Sequence, residues 1–513
     1  MSHRYTLLEI EKMKSLKFLK RKSSKSKVPK NYSLGLDHVA SLEEKIHGQV
    51  LYPWSKGYNT ARQEFDDLYP TYPLLIVYVL SFQDIRDCLQ FANDLKIQVA
   101  IRSSGHSLAC FSVCEGMVID ISKMNSIHVN PEALFAIIES GANFGDLYPK
   151  MEQYHLHTPT GDCPTVCPAG FMMGGGYSIT SRMYGMGCDN VEEVTVMLAD
   201  GKIVKANQDK NKDLFWAIRG GTGGNFGVLL DIKLKLHPLK DIYGVQMRWP
   251  IKKNPETAAK VLETIQNEYL QAGKLPQLGI ETIISSNDDK KKTVFFCATW
   301  IGSESEFMDA LKPLLDIPGF SMDSYHGKYS KVNNWVLEGT PDIPEDVKAF
   351  SRSTYIEKPL SYQNWYDILK FFYKNAPNQY TMIDMEAYGG NVSLIPEDSC
   401  AFIHRNVTMD FFTEAFFNKE THDRKASEKW VNDLFEFMKP LSNSRSYQNY
   451  PYRGQEDFRT AYWGDYYNQL VLIKQKYDPD NFFRYQQSIG PDLIDDSCQK
   501  TLFTPSPIEY ENY

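Results

Sequence analysis

At 513 residues, with 42% hydrophobic, 13% aromatic and 23% charged positions, the chain has the make-up of a globular protein with material for more than one core. Gly 32 and Pro 26 exclude collagen-like and low-complexity classes, and the aromatic content excludes a wholly disordered chain. A net charge of −8 argues against a dedicated nucleic-acid binder, and no run approaches the roughly eighteen apolar residues of a membrane span.

Residues 1–36 read as a basic, disordered tail. Within 1–30, ten Lys or Arg face two Glu, which leaves −16 on the remaining 483 residues. The run from Lys20 to Lys30 is either a solvated segment or an electrostatic tether to an acidic surface. No apolar stretch precedes it, so no secretory signal is expected, and the chain is expected in the cytoplasm or exported by another route. Residues 37–49 look helical, and Tyr52-Pro53-Trp54 punctuates the chain. Leu74–Leu80 predicts a strand, Ser81 caps a helix through Asn93, and Gln98–Ile101 predicts a second strand. Short strands follow at Met117–Ile121, Ala136–Glu139, Glu193–Leu198 and Val228–Leu236, and Pro238 closes this section. From 241 to 445 the texture changes. Strand-like runs at Leu278–Ser285, Thr293–Thr299, Thr381–Tyr388 and Ala401–Asp410 alternate with helical stretches at 255–270, 304–315 and 361–375. That order suggests an antiparallel sheet covered on one face. Residues 446–491 are aromatic and rich in turns, and 492–513 read as a tail.

Four segments carry chemistry. In Arg102-Ser103-Ser104-Gly105-His106-Ser107 a strand empties into small residues that bring backbone N–H groups close to an anion, with Arg102 adding charge. Gly161-Asp162-Cys163-Pro164-Thr165-Val166-Cys167 leads to Gly174-Gly175-Gly176, where backbone can approach a flat ligand. Cys163 sits between Gly161 and Pro164 in a turn, a place for a reactive thiol rather than core filler. A metal at Cys163 and Cys167 is disfavoured, because only His155 and His157 lie near in sequence. Arg219-Gly220-Gly221-Thr222-Gly223-Gly224-Asn225-Phe226-Gly227 is glycine-rich but matches neither a Rossmann nor a P-loop pattern. Asp478-Pro479-Asp480-Asn481-Phe482 is a polar turn with an aromatic anchor. Cysteine, nine in all, is too sparse for a disulfide framework.

Together, and in this order from about Tyr52 to Pro491, the four segments resemble the berberine bridge enzyme-like flavin oxidases of the vanillyl-alcohol oxidase superfamily. The resemblance implies an α+β fold: a two-part PCMH-type FAD-binding domain from 50–240 and 446–491, with an antiparallel-sheet substrate domain, 241–445, inserted between. It implies FAD held bicovalently, by His106 at the 8α-methyl and Cys163 at C6 (an 8α-N-histidyl, 6-S-cysteinyl flavin). Arg102, Ser103, Ser104, Gly105, Ser107, Val166, Gly170, Gly174, Gly175, Gly176, Asn225, Gly227, Asn481 and Phe482 are the matching cofactor positions.

Within Tyr447-Gln448-Asn449-Tyr450 the resemblance assigns the catalytic base to Tyr450. A phenol ionises near pH 10 when unperturbed, so cations or donors are expected to tune it downwards. Asp384, Glu386 and Tyr388 share one face of a strand, and with Tyr447 they are the expected substrate contacts, suited to hydroxyl-rich molecules. Val166 resembles the oxygen-accessible type. The implied reaction is oxidation of an alcohol or sugar-like hydroxyl by base-assisted hydride transfer, with dioxygen as acceptor and hydrogen peroxide as product. Competing readings are a dehydrogenase with another acceptor and an inert flavin-loaded binding protein. The chain departs from the family pattern at Ser104, where a Gly is usual, and at Cys167-Pro168.

Overall fold

In the computed structural model, residues 36–65, 68–286, 291–338, 347–418, 423–491 and 507–511 are described. The basic segment through 35 and residues 492–506 lie outside them. Local signals explain the first elements. Ser81 Oγ accepts from Asp84 N (3.1 Å) and starts the helix Phe82–Leu95, which ends where Lys96 turns left-handed at φ 54°. Its apolar stripe, Ile85, Cys88, Leu89 and Ala92, packs on the strands Leu75–Tyr78, Val99–Arg102 and Met117–Asp120. These three pair in parallel, with Met117–Asp120 in the middle, and Gln49–Leu51 joins antiparallel at one edge.

A second, antiparallel sheet contains Phe135–Glu139, Val191–Met197, Ile203–Asn207 and Val228–Lys235. Tyr510–Glu511, within the segment read as a tail, adds an edge strand to it. The helices Phe458–Trp463 and Tyr467–Tyr477 return from the far end of the chain and share its core.

The third sheet has seven antiparallel strands, in the order Ser321–Gly327, Ile242–Pro250, Lys292–Trp300, Leu278–Ser286, Thr381–Ala387, Met409–Phe417, Lys348–Ile356. The helices Glu256–Tyr269, Glu304–Leu315, Tyr362–Asn375 and Arg424–Met438 bury their apolar faces against one side of it. Period two sorts the side chains. Ile383, Met385 and Ala387 enter that helical core, so Asp384 and Glu386 face the other way, towards the first two sheets. The architecture is α+β.

One expected strand is misplaced. Ala401–Val407 is irregular, and the strand begins at Met409. His404 and Arg405 are fully buried there, and Arg405 is fixed by both oxygens of Asp189 at 2.6 Å. Among the described residues, no helix is long and apolar enough to cross a membrane.

Candidate active site

A cavity of about 2090 Å³ opens where the three sheets meet. It exceeds the roughly 300–1,000 Å³ of a usual small-molecule site, which leaves room for more than one ligand. Its walls come from the loop after Val99–Arg102, the segment 161–173, the glycine-rich loop near 223, the stretch 448–453, the turn 483–487 and Glu386.

At one wall His106 and Cys163 meet on a single hydroxyl. Thr165 Oγ1 lies 2.9 Å from His106 Nε2 and 3.2 Å from Cys163 Sγ. The His106 ring stacks on Phe65, with centroids 4.5 Å apart. Burial lowers its pKa to about 4, so the imidazole is neutral at pH 7 with a lone pair available. Ser104 is accommodated because its φ is not positive, whereas Gly105 beside it sits at φ 74°. The two departures from the family pattern touch: Ser104 Oγ accepts from Cys167 N at 3.2 Å. Cys167 Sγ turns away to Gly141 O (3.6 Å), and burial pushes its thiol up to about 11. Cys163 and Cys167 therefore serve different partners.

The lining fits a cofactor that needs close backbone approach. A Cβ added at Gly170 or Gly223 would meet no protein atom within 4 Å, and at Gly105 or Gly224 nothing closer than 3.6 Å. All four line the cavity. Ser103, Ser107, Val166 and Gly227 line it as well.

The opposite wall is acidic. Glu281, Glu386 and Asp410 stand directly opposite one another across three adjacent strands, with Asp384 two residues along on the same face. Like charges in such register repel, and here they are also buried. Burial first, then neighbouring carboxylates, hold Glu281, Glu386 and Asp410 well above the ordinary carboxylate range. Burial pushes Asp384 up to about 7 and Asp162, a charge neighbour of Glu281, Asp384 and Glu386 that also lines the cavity, up to about 6. Each of the five has one buried oxygen without a protein partner.

Tyr450 projects into this wall and donates its phenol proton to Glu386 Oε1. Its ring stacks on Phe412 (4.0 Å) and meets Tyr447 edge-on (4.9 Å). The expected tuning by cations is corrected by this environment. The groups acting on the phenol are Glu386, Tyr447 and Asp384, and burial leads them in raising its pKa well above the ordinary value.

Several expected contacts lie behind the wall. Arg102 is turned onto Asp120, Nε to Oδ2 at 2.6 Å, and does not line the cavity. The triplet Gly174-Gly175-Gly176 makes room for protein rather than ligand, since a Cβ at these positions would strike Asn449, Phe402 or Phe171. Gly176 N and Tyr177 N donate to Tyr447 Oη at 2.7 and 3.0 Å, so Tyr447 is a strut. Tyr388 is buried against Tyr355, with hydroxyls 3.0 Å apart, and Asp384 also stops short of the cavity. Asn225 is consumed internally. It donates to Thr222 Oγ1 (2.8 Å) and accepts from Ile489 N (2.8 Å). Phe482 belongs to the core beneath the parallel sheet, and Asn481 turns left-handed at φ 49° without lining the cavity. Sequence reasoning missed Asp162, Glu281, Asp410 and Phe412. Glu281, the one acid in the apolar run Leu278–Ser286, and Asp410, at the head of the aromatic run Met409–Phe417, were the available signal.

Comparison with known proteins agrees with this arrangement. Residues 73–207 match the FAD binding domain model, and 446–490 match the model "Berberine and berberine like". The FAD-linked oxidoreductase YgaK of Bacillus subtilis, itself uncharacterised, is 26% identical over 87% of this chain and 98% of its own length. Berberine bridge enzyme-like 24 of Arabidopsis thaliana is 28% identical over 78% of this chain and 80% of its own. The structure of Physcomitrella patens BBE-like 1 shares the fold with a TM-score of 0.81 at 21% identity, covering 89% of this chain and 99% of that one. A chitooligosaccharide oxidase does so at 0.79 and 20%, covering 89% and 100%. With both matched segments walling one cavity, the chain carries an FAD binding domain and a berberine-like C-terminal segment, and it is an FAD-linked oxidoreductase similar to berberine bridge enzyme-like proteins.

Proposed function

We propose that this chain is an oxidase that carries FAD bicovalently through His106 and Cys163 and oxidises a hydroxyl group of a small, hydroxyl-rich substrate, with dioxygen as acceptor and hydrogen peroxide as product. The observation that carries the reading is the shared contact of His106 and Cys163 on Thr165 Oγ1, which holds a neutral imidazole and a thiol close enough to reach one ring system. When bound, the flavin supplies the acceptor for a hydride and the reductant for dioxygen. Residues 50–240 and 446–491 hold it, and 241–445 present the substrate.

The chain's own work is proton handling. Tyr450 Oη takes the proton of the substrate hydroxyl while its own proton passes to Glu386 Oε1 along the existing hydrogen bond. The phenol therefore never has to persist as a phenolate, which its surroundings oppose. Glu386 is a competent final acceptor because burial raises its basicity. Glu386 and Asp162 both line the cavity, so further substrate hydroxyls would have acidic neighbours there. That favours a polyol or sugar over an apolar alcohol.

The test is flavin fluorescence of the denatured chain on a gel, with intact mass alongside, followed by oxygen-electrode and anaerobic dye assays over sugars and alcohols. Oxygen consumption with peroxide release supports the oxidase. Dye reduction without oxygen uptake would make it a dehydrogenase. Neither, with flavin bound, would make it an inert carrier.

A further inference from the structure

Two thiols with no part in that chemistry face each other across the halves of the fold. Cys188 lies in the short turn Gly187–Asn190, which hangs from the glycine triplet through Cys188 N to Gly175 O (2.8 Å) and Gly187 N to Gly176 O (2.7 Å). Cys400 lies 212 residues away, in the irregular connection between the strands Thr381–Ala387 and Met409–Phe417. Both are fully buried, and their Sγ atoms are 4.0 Å apart. Arg405 places Nη2 3.2 Å from Cys400 Sγ while both its terminal nitrogens hold Asp189 at 2.6 Å.

We propose that Cys188 and Cys400 form an oxidisable dithiol, a modification site at which a hydroperoxide closes a disulfide between the flavin-side and substrate-side halves of the molecule. The pair is asymmetric, as such chemistry requires. The hydrogen bond from Cys188, with Arg405 behind it, lowers the Cys400 thiol to about 6, while burial raises Cys188. Cys400 is the attacking sulfur. Its thiolate breaks the O–O bond of hydrogen peroxide, forms a sulfenic acid and releases hydroxide, which leaves as water with one proton. Cys188 Sγ then attacks that sulfur, the S–S bond forms, the S–O bond breaks and a second water departs. Two thiols lose two electrons and two protons, and one peroxide becomes two waters. The sulfurs must close to about 2.05 Å. Neither cysteine lies in a strand ladder, so closure is a local shift of the two connections that carry them.

Cys188, Asp189 and Cys400 also lie close enough to hold a metal ion. Arg405 argues against it, since the guanidinium already occupies both Asp189 oxygens and one face of Cys400. A cation is already in place, and it is part of the protein.

The experiment uses the full-length chain as purified. It is treated with hydrogen peroxide, denatured with iodoacetamide to block free thiols, digested without reductant and mapped by mass spectrometry. The expected result is a peptide pair linked through Cys188 and Cys400 that dithiothreitol separates. In Cys188→Ser, Cys400 is expected to stop at the sulfenic acid and to be captured by dimedone, with no linked pair. Both cysteines remaining fully alkylated after peroxide would overturn the proposal. So would one equivalent of zinc in the untreated protein that is lost in Cys188→Ser. The peroxide is added, so neither outcome depends on the oxidase reading.

Discussion

The two ends of the cavity solve opposite problems. The His106 end is built from small residues and main chain, with an imidazole kept neutral by burial and a thiol on the same threonine. On the function proposed above it is a place of attachment, and its demands are steric. The Glu386 end gathers carboxyls in register on a buried sheet face, an arrangement that costs stability. Nothing about folding asks for that row. On the function proposed above its use is chemical: a phenol that must accept a proton needs a basic group behind it, and burial, reinforced by the neighbouring acids, provides the basicity.

Changes at each end should therefore fail differently. Replacing both His106 and Cys163 by Ala is expected to abolish covalent attachment outright, seen as flavin released on denaturation, whereas either single change leaves one bond. If the double variant kept its flavin after denaturation, the attachment end would be misassigned. Tyr450→Phe is expected to lower turnover by about 10²–10⁴-fold with flavin still attached, measured by oxygen consumption against flavin content. An unchanged rate would remove the phenol from the proton path.

Glu386→Gln is expected to act more mildly, by roughly tenfold to a hundredfold, and to change the pH profile. Glu386 must be ionised to accept, and its pKa is raised, so wild-type turnover climbs as pH rises through that value. The Gln variant should lose this limb, and a pH–rate curve over 4–9 that kept it would place the titration elsewhere. The smallest effect belongs to Asp384→Asn. A carboxyl raised to about 7 in the folded chain stabilises fully below its unfolded value near 4, and that contribution is lost as pH rises through 7. The variant should thus melt higher than wild type at pH 8, by on the order of 1 kcal/mol, and no higher at pH 4. Equal shifts at both pH values would mean that packing, not ionisation, sets the difference.

The sequence made local things legible. Ser81 announces its helix because a cap needs one hydroxyl and four consecutive residues, and the structure places that hydroxyl on Asp84 N. Asp384 and Glu386 could be assigned to one face because the period of a strand is fixed. What a strand cannot state is its register with partners far along the chain, so the row joining Glu386 to Glu281 and Asp410 was out of reach. Ala401–Val407 has strand-like composition, yet burial of His404 and Arg405 sets its path. The glycine triplet misleads for a related reason. Glycine permits close approach without naming the visitor, and here the visitors are Asn449, Phe402 and Phe171.

Lys474 carries a consequence about time. Buried in the helix Tyr467–Tyr477, it donates to Asp478 and Phe483 O (both 2.6 Å) and to Asn225 O, 249 residues earlier, in the glycine-rich wall. Ribosomes add about 5–20 residues per second, so roughly ten seconds to a minute separate the synthesis of that wall from the arrival of its fastener. Until then the nascent polypeptide has the first sheets without the closing side of the chamber. On the function proposed above, loading of the cofactor is thereby made a late event, reserved for chains translated past Lys474, and a product terminated before it would remain colourless.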